Sequence, residues 1–467
     1  MEKKSFPSFK TSQEVFDWLN QFVNPETVQP SSFRPERMDT IAAAAGHPEL
    51  CAPSIHVAGS KGKGSVTGMI TSVLEAMGLR TAQYVSPHIM DYRERITEGH
   101  RFLDERIYIE AGNELRNLEE ALKDFSKPEY RIFSGNNANE GPPTYFELLT
   151  LYYFLCARMI HCDTLAVETG MGGRLDPTNI VESIVSVITV IELEHTEFLG
   201  NTITEVAGEK AGIIKPGKPV VLAEQCEEAL ELFRKTAAEK HSPLLYLPEI
   251  AEIRDLTVSE EGTNFTLSFK KEGFFPAPLK LSVSIPGAVQ ALNAALAAIT
   301  LKTAFPSLDG ETLQRGLRGF KIPARFEKLR EDTPVIIDGA HTEKSVELCV
   351  NTFTALYGTG GMLIFGCAAG KNVEAMAAIL APAFSRIIIT TPGNFKVSDP
   401  GRINGVFEKE VQRIKEKAGA AQTAPELLFI PETEKAIQYI LTESRKAGLP
   451  VLGTGSFYLA AEIRGQV

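Results

Sequence analysis

The sequence predicts an α/β protein of two domains, and three observations lead to this fold class. Through the first two-thirds of the chain, short runs rich in β-branched residues alternate with segments of helical period. The same alternation starts again after a break near Lys321. At 467 residues the chain is also longer than one hydrophobic core usually serves. We therefore expect a mostly parallel sheet in a first domain, 1–320, and a smaller α/β domain, 321–467.

The elements of the first domain follow from the period of its apolar residues. Short β-rich runs predict strands, at 54–58, 81–85, 164–168, 184–191 and 219–222. Helical spacing predicts helices, at 66–77, 146–159 and 203–213. Between residues 250 and 285 apolar and polar residues alternate, so hairpins are expected at the domain edge.

The second domain repeats the pattern on a smaller scale. Strands are expected at 335–337, 362–365, 386–390, 427–430 and 450–452, with helix-like stretches between them. Such alternation indicates a doubly wound, Rossmann-like sheet.

Composition limits the classes of function. The formal net charge of -11 repels polyanions, so no nucleic-acid binding is expected. No window reaches the roughly 20 apolar residues that span a bilayer, and no signal-peptide core is present near the start. The six cysteines lack metal-site spacing, and their apolar surroundings indicate thiols in a reducing compartment. We therefore expect a cytoplasmic protein without membrane contact.

A glycine-rich turn follows the first predicted strand and has the pattern of a phosphate-binding loop. It contains Gly59, Gly62, Lys63, Gly64 and Ser65, and a predicted helix follows. Glycines let backbone N–H groups converge on phosphate oxygens at the positive end of the helix dipole. Lys63 can neutralise phosphate charge, and the Ser65 hydroxyl can bind Mg²⁺. The alternative is a plain glycine-rich turn, because Gly64 separates Lys63 from Ser65 and breaks the strict Walker pattern.

Three polar residues follow the later predicted strands. Glu168 stands at a strand end, where ligands bind in open α/β sheets, and His195 follows the next strand. Lys210 lies in the helix after it. Taken singly, Glu168 would be interpreted as a solvated acid, His195 as a structural histidine and Lys210 as a surface lysine. Together with the loop they favour a magnesium and phosphate site, because Mg²⁺ prefers carboxylate and hydroxyl oxygens.

Further short motifs extend this series along the chain. In order they are His56-Val57-Ala58-Gly59, Gly62-Lys63-Gly64-Ser65, Ser86-Pro87-His88, Glu94-Arg95-Ile96, Glu168-Thr169-Gly170, Gly172-Gly173-Arg174-Leu175-Asp176, Thr178-Asn179, His195-Thr196-Glu197, Glu209-Lys210-Ala211-Gly212, Asp338-Gly339-Ala340-His341 and Gly455-Ser456. The series resembles the folylpolyglutamate synthase and dihydrofolate synthase family, a branch of the Mur ligase superfamily. The resemblance implies a P-loop ATPase-like first domain and a Rossmann-like second one.

The resemblance also implies which residues carry catalysis. Ser65 and Glu168 would hold one Mg²⁺, while Glu168, His195 and a carbamylated Lys210 would hold a second. Carbamylation turns a cationic lysine into an oxygen ligand, which explains a lysine in a cation site. Lys63 completes the expected catalytic set with Glu168, His195 and Lys210.

Nucleotide and substrate sites follow from the same resemblance. ATP would be bound by the glycine-rich loop and by four residues further along the chain: Asn293, Arg325, Asp338 and His341. Ser86, Pro87 and His88 resemble the region that forms the pteroate or folate pocket. Arg93 and Arg95 lie near them, and a solvated helix start is the alternative for both arginines.

The reaction that the resemblance implies is ligation on a carboxylate. ATP would phosphorylate the terminal carboxylate of a folate or dihydropteroate. The amino group of L-glutamate would then attack the acyl phosphate through a tetrahedral intermediate. The sequence leaves open whether the enzyme extends folates, acts on dihydropteroate, or does both. The resemblance also implies a monomer.

Two other functions stay open. One is a related ligase that acts on a different carboxylate, and the other is a nucleotide-binding regulatory protein without turnover. The complete set of site residues speaks against the second. The sequence also departs from the usual family pattern, with Ser60-Lys61 for Thr-Asn, Glu194 for Asp, Val289 for His, Ala324 for Gly and Thr342-Glu343 for Asn-Pro.

Overall fold

The computed structural model describes residues 7–22, 35–135, 141–393, 397–417 and 424–467. The chain divides into two compact units. The first takes its described residues from Met1–Arg254, Thr266–Leu281 and Leu292–Gly319, and the second from Asp255–Phe265, Ser282–Ala291 and Phe320–Val467. Two short stretches before residue 320 thus belong to the second unit, and the predicted domain boundary at that residue stays a prediction.

An eight-stranded sheet forms the centre of the first unit. Its strands are β1 (Ser54–Ala58), β2 (Thr81–Tyr84), β3 (Ile96–Glu98), β4 (Arg101–Phe102), β5 (Thr164–Glu168), β6 (Ser183–Ile188), β7 (Val220–Leu222) and β8 (Leu244–Tyr246). They lie in the order β4-β3-β2-β5-β1-β6-β7-β8. Neighbours are parallel from β2 to β8, and β3 and β4 add an antiparallel edge. The central strands β1 and β5 are buried along their whole length, as parallel sheets covered on both faces require.

The α-helices described up to residue 319 follow in chain order. They are α1 (Ser12–Leu19), α2 (Pro35–Ala44), α3 (Lys63–Ala76), α4 (Glu105–Ala121), α5 (Tyr145–Met159), α6 (Thr196–Leu199), α7 (Ile203–Ala211), α8 (Glu227–Glu239), α9 (Leu247–Ile250), α10 (Ala288–Ala304) and α11 (Gly310–Gly319). Capping boxes fix where two of them start, Thr144 with Glu147 for α5 and Thr202 with Glu205 for α7.

Apolar clusters of described residues occupy the core of the first unit, and two of them flank the site. One joins α1, α4 and α5 to the sheet through residues such as Phe16, Tyr152 and Val167. The other packs α7 and α8 against β6 and β7 through residues such as Val206 and Phe233. The sheet is thus held by apolar burial between layers, and its carboxyl edge is left to polar side chains.

The alternating region, for which hairpins at the domain edge were predicted, forms a three-stranded sheet. It contains β9 (Ala251–Ser259), β10 (Gly262–Phe269) and β11 (Leu279–Val283) in the order β11-β10-β9.

A six-stranded sheet forms the second unit. Its strands are β12 (Glu327–Arg330), β13 (Val335–Ile337), β14 (Gly361–Phe365), β15 (Phe384–Ile389), β16 (Glu426–Phe429) and β17 (Val451–Thr454), in the order β12-β13-β17-β14-β15-β16. Only β12 runs antiparallel to its neighbour among these described strands. The helices of this unit are α12 (Glu343–Tyr357), α13 (Val373–Leu380), α14 (Pro400–Lys417), α15 (Thr433–Ala447) and α16 (Phe457–Arg464).

Short 3-10 helices complete the described elements, at Pro48–Leu50, Tyr92–Arg95, Pro128–Phe133, Pro177–Ile180 and Ala381–Ala383. Among the described residues, none of the helices combines the length and the apolar character that crossing a bilayer requires. The predicted fold class, a mostly parallel α/β unit followed by a smaller Rossmann-like one, is confirmed.

Candidate functional site

The glycine-rich loop joins the carboxyl end of β1 to Lys63, the first residue of α3. Gly59 and Gly62 have positive φ angles of 145° and 89°. A Cβ atom on Gly59 would collide with the Thr189 side chain, and one on Gly62 would lie 2.8 Å from Asn293 Oδ1. Both positions therefore need glycine. The Asn293 carboxamide lies directly against the loop that the sequence predicts for phosphate.

Two lysines converge on one carbonyl oxygen of this loop. The ammonium groups of Lys63 and Lys210 each donate a hydrogen bond of 2.9 Å to the Gly59 oxygen. The Lys210 side chain is 1% exposed and also donates to Glu194 Oε1 at 2.9 Å. The other carboxylate oxygen of Glu194 lies 3.9 Å from Lys61 Nζ. Three lysine charges thus surround a single carboxylate, and the excess positive charge favours an anionic ligand such as phosphate.

Burial and neighbouring charges set the protonation of this cluster. Burial and the charge of Lys63 lower the pKa of Lys210 to about 8, although Glu194 opposes the shift. Burial alone would raise the pKa of Glu194, but the charges of Lys63 and Lys210 outweigh it and lower that pKa. Glu194 is therefore ionised at neutral pH, while a fraction of Lys210 is a neutral amine.

Glu168 ends β5 beside the same loop. Val57 of β1 pairs with Glu168, and the amide of Thr169 donates to Val57 O at 2.9 Å. Glu168 is 4% exposed, and its Oε2 accepts a hydrogen bond of 3.3 Å from the Ser86 amide. Ser65 lies in the first turn of α3 and is buried. At this sheet edge the two side chains offer hard oxygen donors of the kind that fits Mg²⁺.

A second cation site would depend on a modified lysine. His195 has a left-handed backbone, with a φ angle of 47°, and directly precedes α6. Within the described ranges, no three His, Cys, Asp or Glu side chains are grouped as metal ligands. An ammonium group cannot coordinate a cation, so Lys210 fits as a ligand only after carbamylation. The metal roles of Ser65, Glu168, His195 and Lys210 stay predictions.

A buried hydrogen-bond network holds the loop after β5. Asp176 accepts hydrogen bonds from the Met171 amide at 2.8 Å and from the Thr178 hydroxyl at 2.5 Å. Because that hydroxyl donates to Asp176, it accepts from His56 Nε2, which lies 2.8 Å away. Burial lowers the pKa of His56 well below its ordinary value, so its ring is neutral, and burial raises the pKa of Asp176. His56 on β1 thereby fixes the position of this loop.

A cavity of about 150 Å³ opens beside the loop. Its walls come from the start of α2, from α5 and from the loop itself: Pro35, Met38, Asp39, Glu147, Arg174, Leu175, Asp176, Pro177, Asn179 and Ile180. Two ion pairs fix its charged walls, Arg174 with Glu209 at 2.7 Å and Arg37 with Glu147 at 2.9 Å. A cavity of this size admits one ring system rather than a whole cofactor-sized ligand.

The predicted substrate segment, Ser86, Pro87 and His88, follows β2. The peptide bond between Ser86 and Pro87 is cis. His88 Nδ1 accepts a hydrogen bond of 2.8 Å from Arg95 Nε, and its ring centroid lies 4.4 Å from that of Tyr92. Burial and the Arg95 charge lower the pKa of His88 to about 4, so the ring is neutral near pH 7. Arg95 itself is 6% exposed, which excludes the solvated helix start as its description.

In the second unit two of the predicted nucleotide residues, Arg325 and His341, lie at one aromatic ring. The Arg325 guanidinium lies 4.3 Å from the centre of the Phe457 ring, and the His341 ring centroid lies 5.9 Å from it. Asp338 accepts two backbone hydrogen bonds of 2.8 Å. Burial raises the pKa of Asp338, and the Arg325 charge opposes that shift. The structure thus brings Arg325, Asp338 and His341 together, and their role toward ATP stays a prediction.

Several residues of these clusters were not predicted as site residues from the sequence, among them Glu194, Asp176 and Phe457. Glu194 was visible only as a departure from the family pattern, and Asp176 only as part of a motif. Phe457 follows the Gly455-Ser456 motif directly, but nothing in the sequence shows that its ring contacts Arg325. Tertiary contacts alone bring these side chains to the sites.

The chain matches two families over consecutive segments. Residues 116–301 match the Mur ligase middle domain, and residues 324–457 match the Mur ligase, glutamate ligase domain. The chain is 36% identical over 321 residues to the dihydrofolate synthase/folylpolyglutamate synthase of Bacillus subtilis, which covers 68% of this chain and 71% of the relative. It is 30% identical over 434 residues to the folylpolyglutamate synthase of Lacticaseibacillus casei, which covers 92% of this chain and 93% of the relative.

A solved structure supports the same relationship. The FPGS–AMPPCP–folate complex has a TM-score of 0.75 and 26% sequence identity, covering 98% of this chain and 99% of that one. The similarity therefore extends over both sheets and over the glycine-rich loop. The chain belongs to the folylpolyglutamate synthase and dihydrofolate synthase family of the Mur ligase superfamily, and it is an ATP-dependent ligase.

Proposed function

We propose that the protein uses ATP to join L-glutamate to a folate or to dihydropteroate through an acyl phosphate. The observation that carries the proposal is the convergence of Lys63 and Lys210 on the Gly59 carbonyl beside Glu168. Such a cluster suits a phosphate chain and a cation. The relatives named above support the substrates, because their names are those of folate ligases and one complex contains AMPPCP and folate.

The residues of the glycine-rich loop would hold the phosphates. The first turn of α3 presents the positive end of the helix dipole, and Lys63 adds a full charge. An oxygen of the substrate carboxylate attacks the γ-phosphorus, and ADP leaves. The neutral amino nitrogen of glutamate then attacks the acyl carbon, phosphate leaves with the carbon–oxygen bond electrons, and the nitrogen releases one proton to solvent as the amide forms. Lysine charge at this position would stabilise the negative charge that develops in both steps.

Ser65 and Glu168 would hold Mg²⁺, which would supply charge neutralisation at the phosphate oxygens. For a second ion we propose His195, Glu168 and carbamylated Lys210. The lowered pKa of Lys210, about 8, supports carbamylation, because only a neutral amine attacks carbon dioxide. The new nitrogen–carbon bond forms with loss of one proton to solvent, and the product is an anionic oxygen ligand.

The predicted nucleotide contacts can be tested one by one. Asn293, Arg325, Asp338 and His341 are proposed to bind ATP, and Phe457 would hold the ring of His341 and the plane of Arg325 in place. Replacement of Arg325 by Gln should raise the KM for ATP more than the KM for L-glutamate. Equal effects on both constants would contradict the assignment.

The choice of acceptor decides between one activity and two. Purified protein would be incubated with ATP, Mg²⁺, bicarbonate and radiolabelled L-glutamate, with dihydropteroate or tetrahydrofolate in separate reactions. Label in both products would show a bifunctional enzyme, and label in tetrahydrofolate alone a folylpolyglutamate synthase. Glu168→Gln should abolish transfer while the melting temperature stays unchanged.

Folded wild-type protein that labels neither acceptor would disprove the folate assignment. Release of ADP with another carboxylate would then favour the related ligase. Nucleotide binding without any turnover would favour the regulatory protein.

We also propose a cytoplasmic monomer that binds small molecules and no nucleic acid. The net charge of -11 supports the last point. The location rests on the cysteines, which are all free and of which Cys156, Cys162, Cys349 and Cys367 are buried.

A further inference from the structure

Arg95 occupies the same sheet edge as Glu168. It ends the 3-10 helix Tyr92–Arg95, and its carbonyl accepts a hydrogen bond of 3.1 Å from the Val85 amide. The preceding residue, Tyr84, pairs with Val167 in the parallel register of β2 and β5. Val85 is therefore level with Glu168. This places the backbone of Arg95 beside the carboxylate that we propose for Mg²⁺.

Arg95 is buried, and among the described residues no carboxylate forms an ion pair with its guanidinium. Its Nε donates to the neutral ring of His88 at 2.8 Å, and its Nη1 is buried without a hydrogen-bond partner. Within the described part of the chain, the ion pairs of this segment go to Arg93, which contacts Asp91 at 2.7 Å and Glu105 at 3.6 Å. A buried charge is costly unless it is paired and hydrogen-bonded.

A second buried arginine of the first unit shows what a purely structural role looks like here. Arg37, 1% exposed, forms hydrogen bonds of 2.9 and 3.2 Å to the two carboxylate oxygens of Glu147. It also donates to the carbonyl oxygens of Gly141 and Pro142. Arg37 is thus paired and saturated, whereas Arg95 has, within the described residues, a buried donor without an acceptor and no carboxylate partner.

We propose that Arg95 binds a carboxylate group of a substrate. A carboxylate would supply both the negative charge and the acceptor that Arg95 lacks, in the charge-assisted geometry that guanidinium groups favour. Its position beside Glu168 brings that carboxylate to the reacting end of the site. This inference rests on the proposed function. The carboxylate belongs either to the folate acceptor or to the incoming L-glutamate, and kinetics separates these two sources.

The test compares Arg95→Gln and Arg95→Lys with the wild type in the labelled-glutamate assay. The KM values for tetrahydrofolate, L-glutamate and ATP are measured for each protein. Arg95→Gln should raise the KM for tetrahydrofolate or the KM for L-glutamate by about 30-fold or more, because a buried charged partner of the carboxylate is removed. Its KM for ATP should stay within about twofold, and Arg95→Lys, which keeps the charge, should recover part of the loss.

The matched control is Arg106→Gln. Arg106 is paired with a nearby aspartate, Asp104, but its side chain is 81% exposed. The Arg106→Gln variant should leave the KM values for tetrahydrofolate, L-glutamate and ATP unchanged. A raised KM for tetrahydrofolate assigns the carboxylate to the acceptor, and a raised KM for L-glutamate assigns it to the amino-acid substrate.

Two results would overturn the inference. One is a folded Arg95→Gln protein with wild-type KM values for both carboxylate substrates. The other is an equal loss of kcat for Arg95→Gln and Arg95→Lys without a change in either KM. If Arg95→Gln does not fold, Arg95→Lys decides alone, because displacement of the charge should still raise the KM of one carboxylate substrate. A wild type inactive with folates would disprove the proposed function instead.

Discussion

Lys210 shows how its surroundings decide the chemistry of a single residue. On a helix surface it would be an ordinary cation, but in α7 it is buried and pointed at the Gly59 carbonyl and at Glu194. Burial lowers the pKa of Lys210, so that a fraction of its side chain is a neutral amine near pH 7. The Glu194 carboxylate opposes this shift and stabilises the ammonium form. Three of the departures from the family pattern, Ser60, Lys61 and Glu194, lie in this neighbourhood. Ser60 Oγ bonds both the amide and the carbonyl of Glu192, at 3.0 and 2.9 Å.

Glu194→Gln should therefore destabilise the fold near pH 7 and much less near pH 9.5. Without its carboxylate partner, buried Lys210 must lose its proton in the folded protein. At pH 7 this costs about 1–2 kcal/mol, because the pKa of Lys210 in the wild type is about 8. At pH 9.5 the amine is neutral in both proteins. Urea unfolding followed by the fluorescence of Trp18 measures the difference.

The control is Glu249→Gln, because Glu249 and its partner Arg234 are about half exposed. It should change the free energy of unfolding by less than about 0.5 kcal/mol at both pH values. An equal loss for Glu194→Gln at pH 7 and pH 9.5 would show that the Lys210 charge is not the cause.

At the scale of elements, close contacts join α7 to the loop after β5. The Arg174 amide donates to the Glu209 carbonyl at 2.6 Å, and its guanidinium pairs with the Glu209 carboxylate. Gly173 packs so closely on this helix that a Cβ atom would lie 2.9 Å from Glu209 O and 3.1 Å from Lys210 Cα. The loop beside the cavity and the helix that carries Lys210 are therefore packed tightly against each other.

Two glycine substitutions, one at Gly208 in α7 and one at Gly173 in the loop after β5, should have opposite effects on stability. Gly208→Ala has room, with Leu232 Cδ1 at 4.0 Å, and should stabilise α7 by about 0.5–1 kcal/mol through a lower backbone entropy cost. Gly173→Ala should destabilise the protein by about 1–3 kcal/mol, because backbone must shift. It should also reduce turnover. Melting temperatures and labelled-glutamate assays test both, and effects of the same sign on stability would contradict the packing argument.

At the scale of the whole molecule, one buried and neutral histidine, His56, should make the free energy of unfolding depend on pH. His56 has a folded pKa far below its unfolded value, so the unfolded state binds one more proton below about pH 6.5. Stability should therefore fall as pH falls through that value. The single tryptophan, Trp18, belongs to the same unit as His56, so its fluorescence reports the unfolding of this unit.

His56→Gln should remove this part of the pH dependence. Between pH 7.5 and pH 5.5 the wild type should lose about 1.4 kcal/mol more than the variant, which corresponds to one proton over the titration of a free histidine. The comparison uses the change of the free energy of unfolding with pH in each protein. A loss of stability that the substitution causes equally at all pH values therefore cancels. Parallel pH curves for the two proteins would show that the pKa of His56 is the same in the folded and unfolded states, which would contradict this prediction.

Local sequence determined the elements that lie near the site. The strand 54–58 and the strand 164–168 have the predicted bounds, because short apolar runs between turn residues leave little choice of register or end. The predicted helix starts at 66 and 146 were late by three residues and by one residue. Lys63 is the first residue of α3 and Tyr145 the first of α5, since caps and first turns lack the apolar period.

By itself, the sequence determined the fold class, the family and the position of the glycine-rich loop, because these depend on patterns that can be read along the chain. The tertiary structure decided which charges meet. Lys210 is paired with Glu194, Arg325 lies over Phe457, and Arg95 is buried beside a neutral histidine. Ion pairing and burial depend on contacts between residues far apart in sequence, and the pattern of a single segment does not encode them.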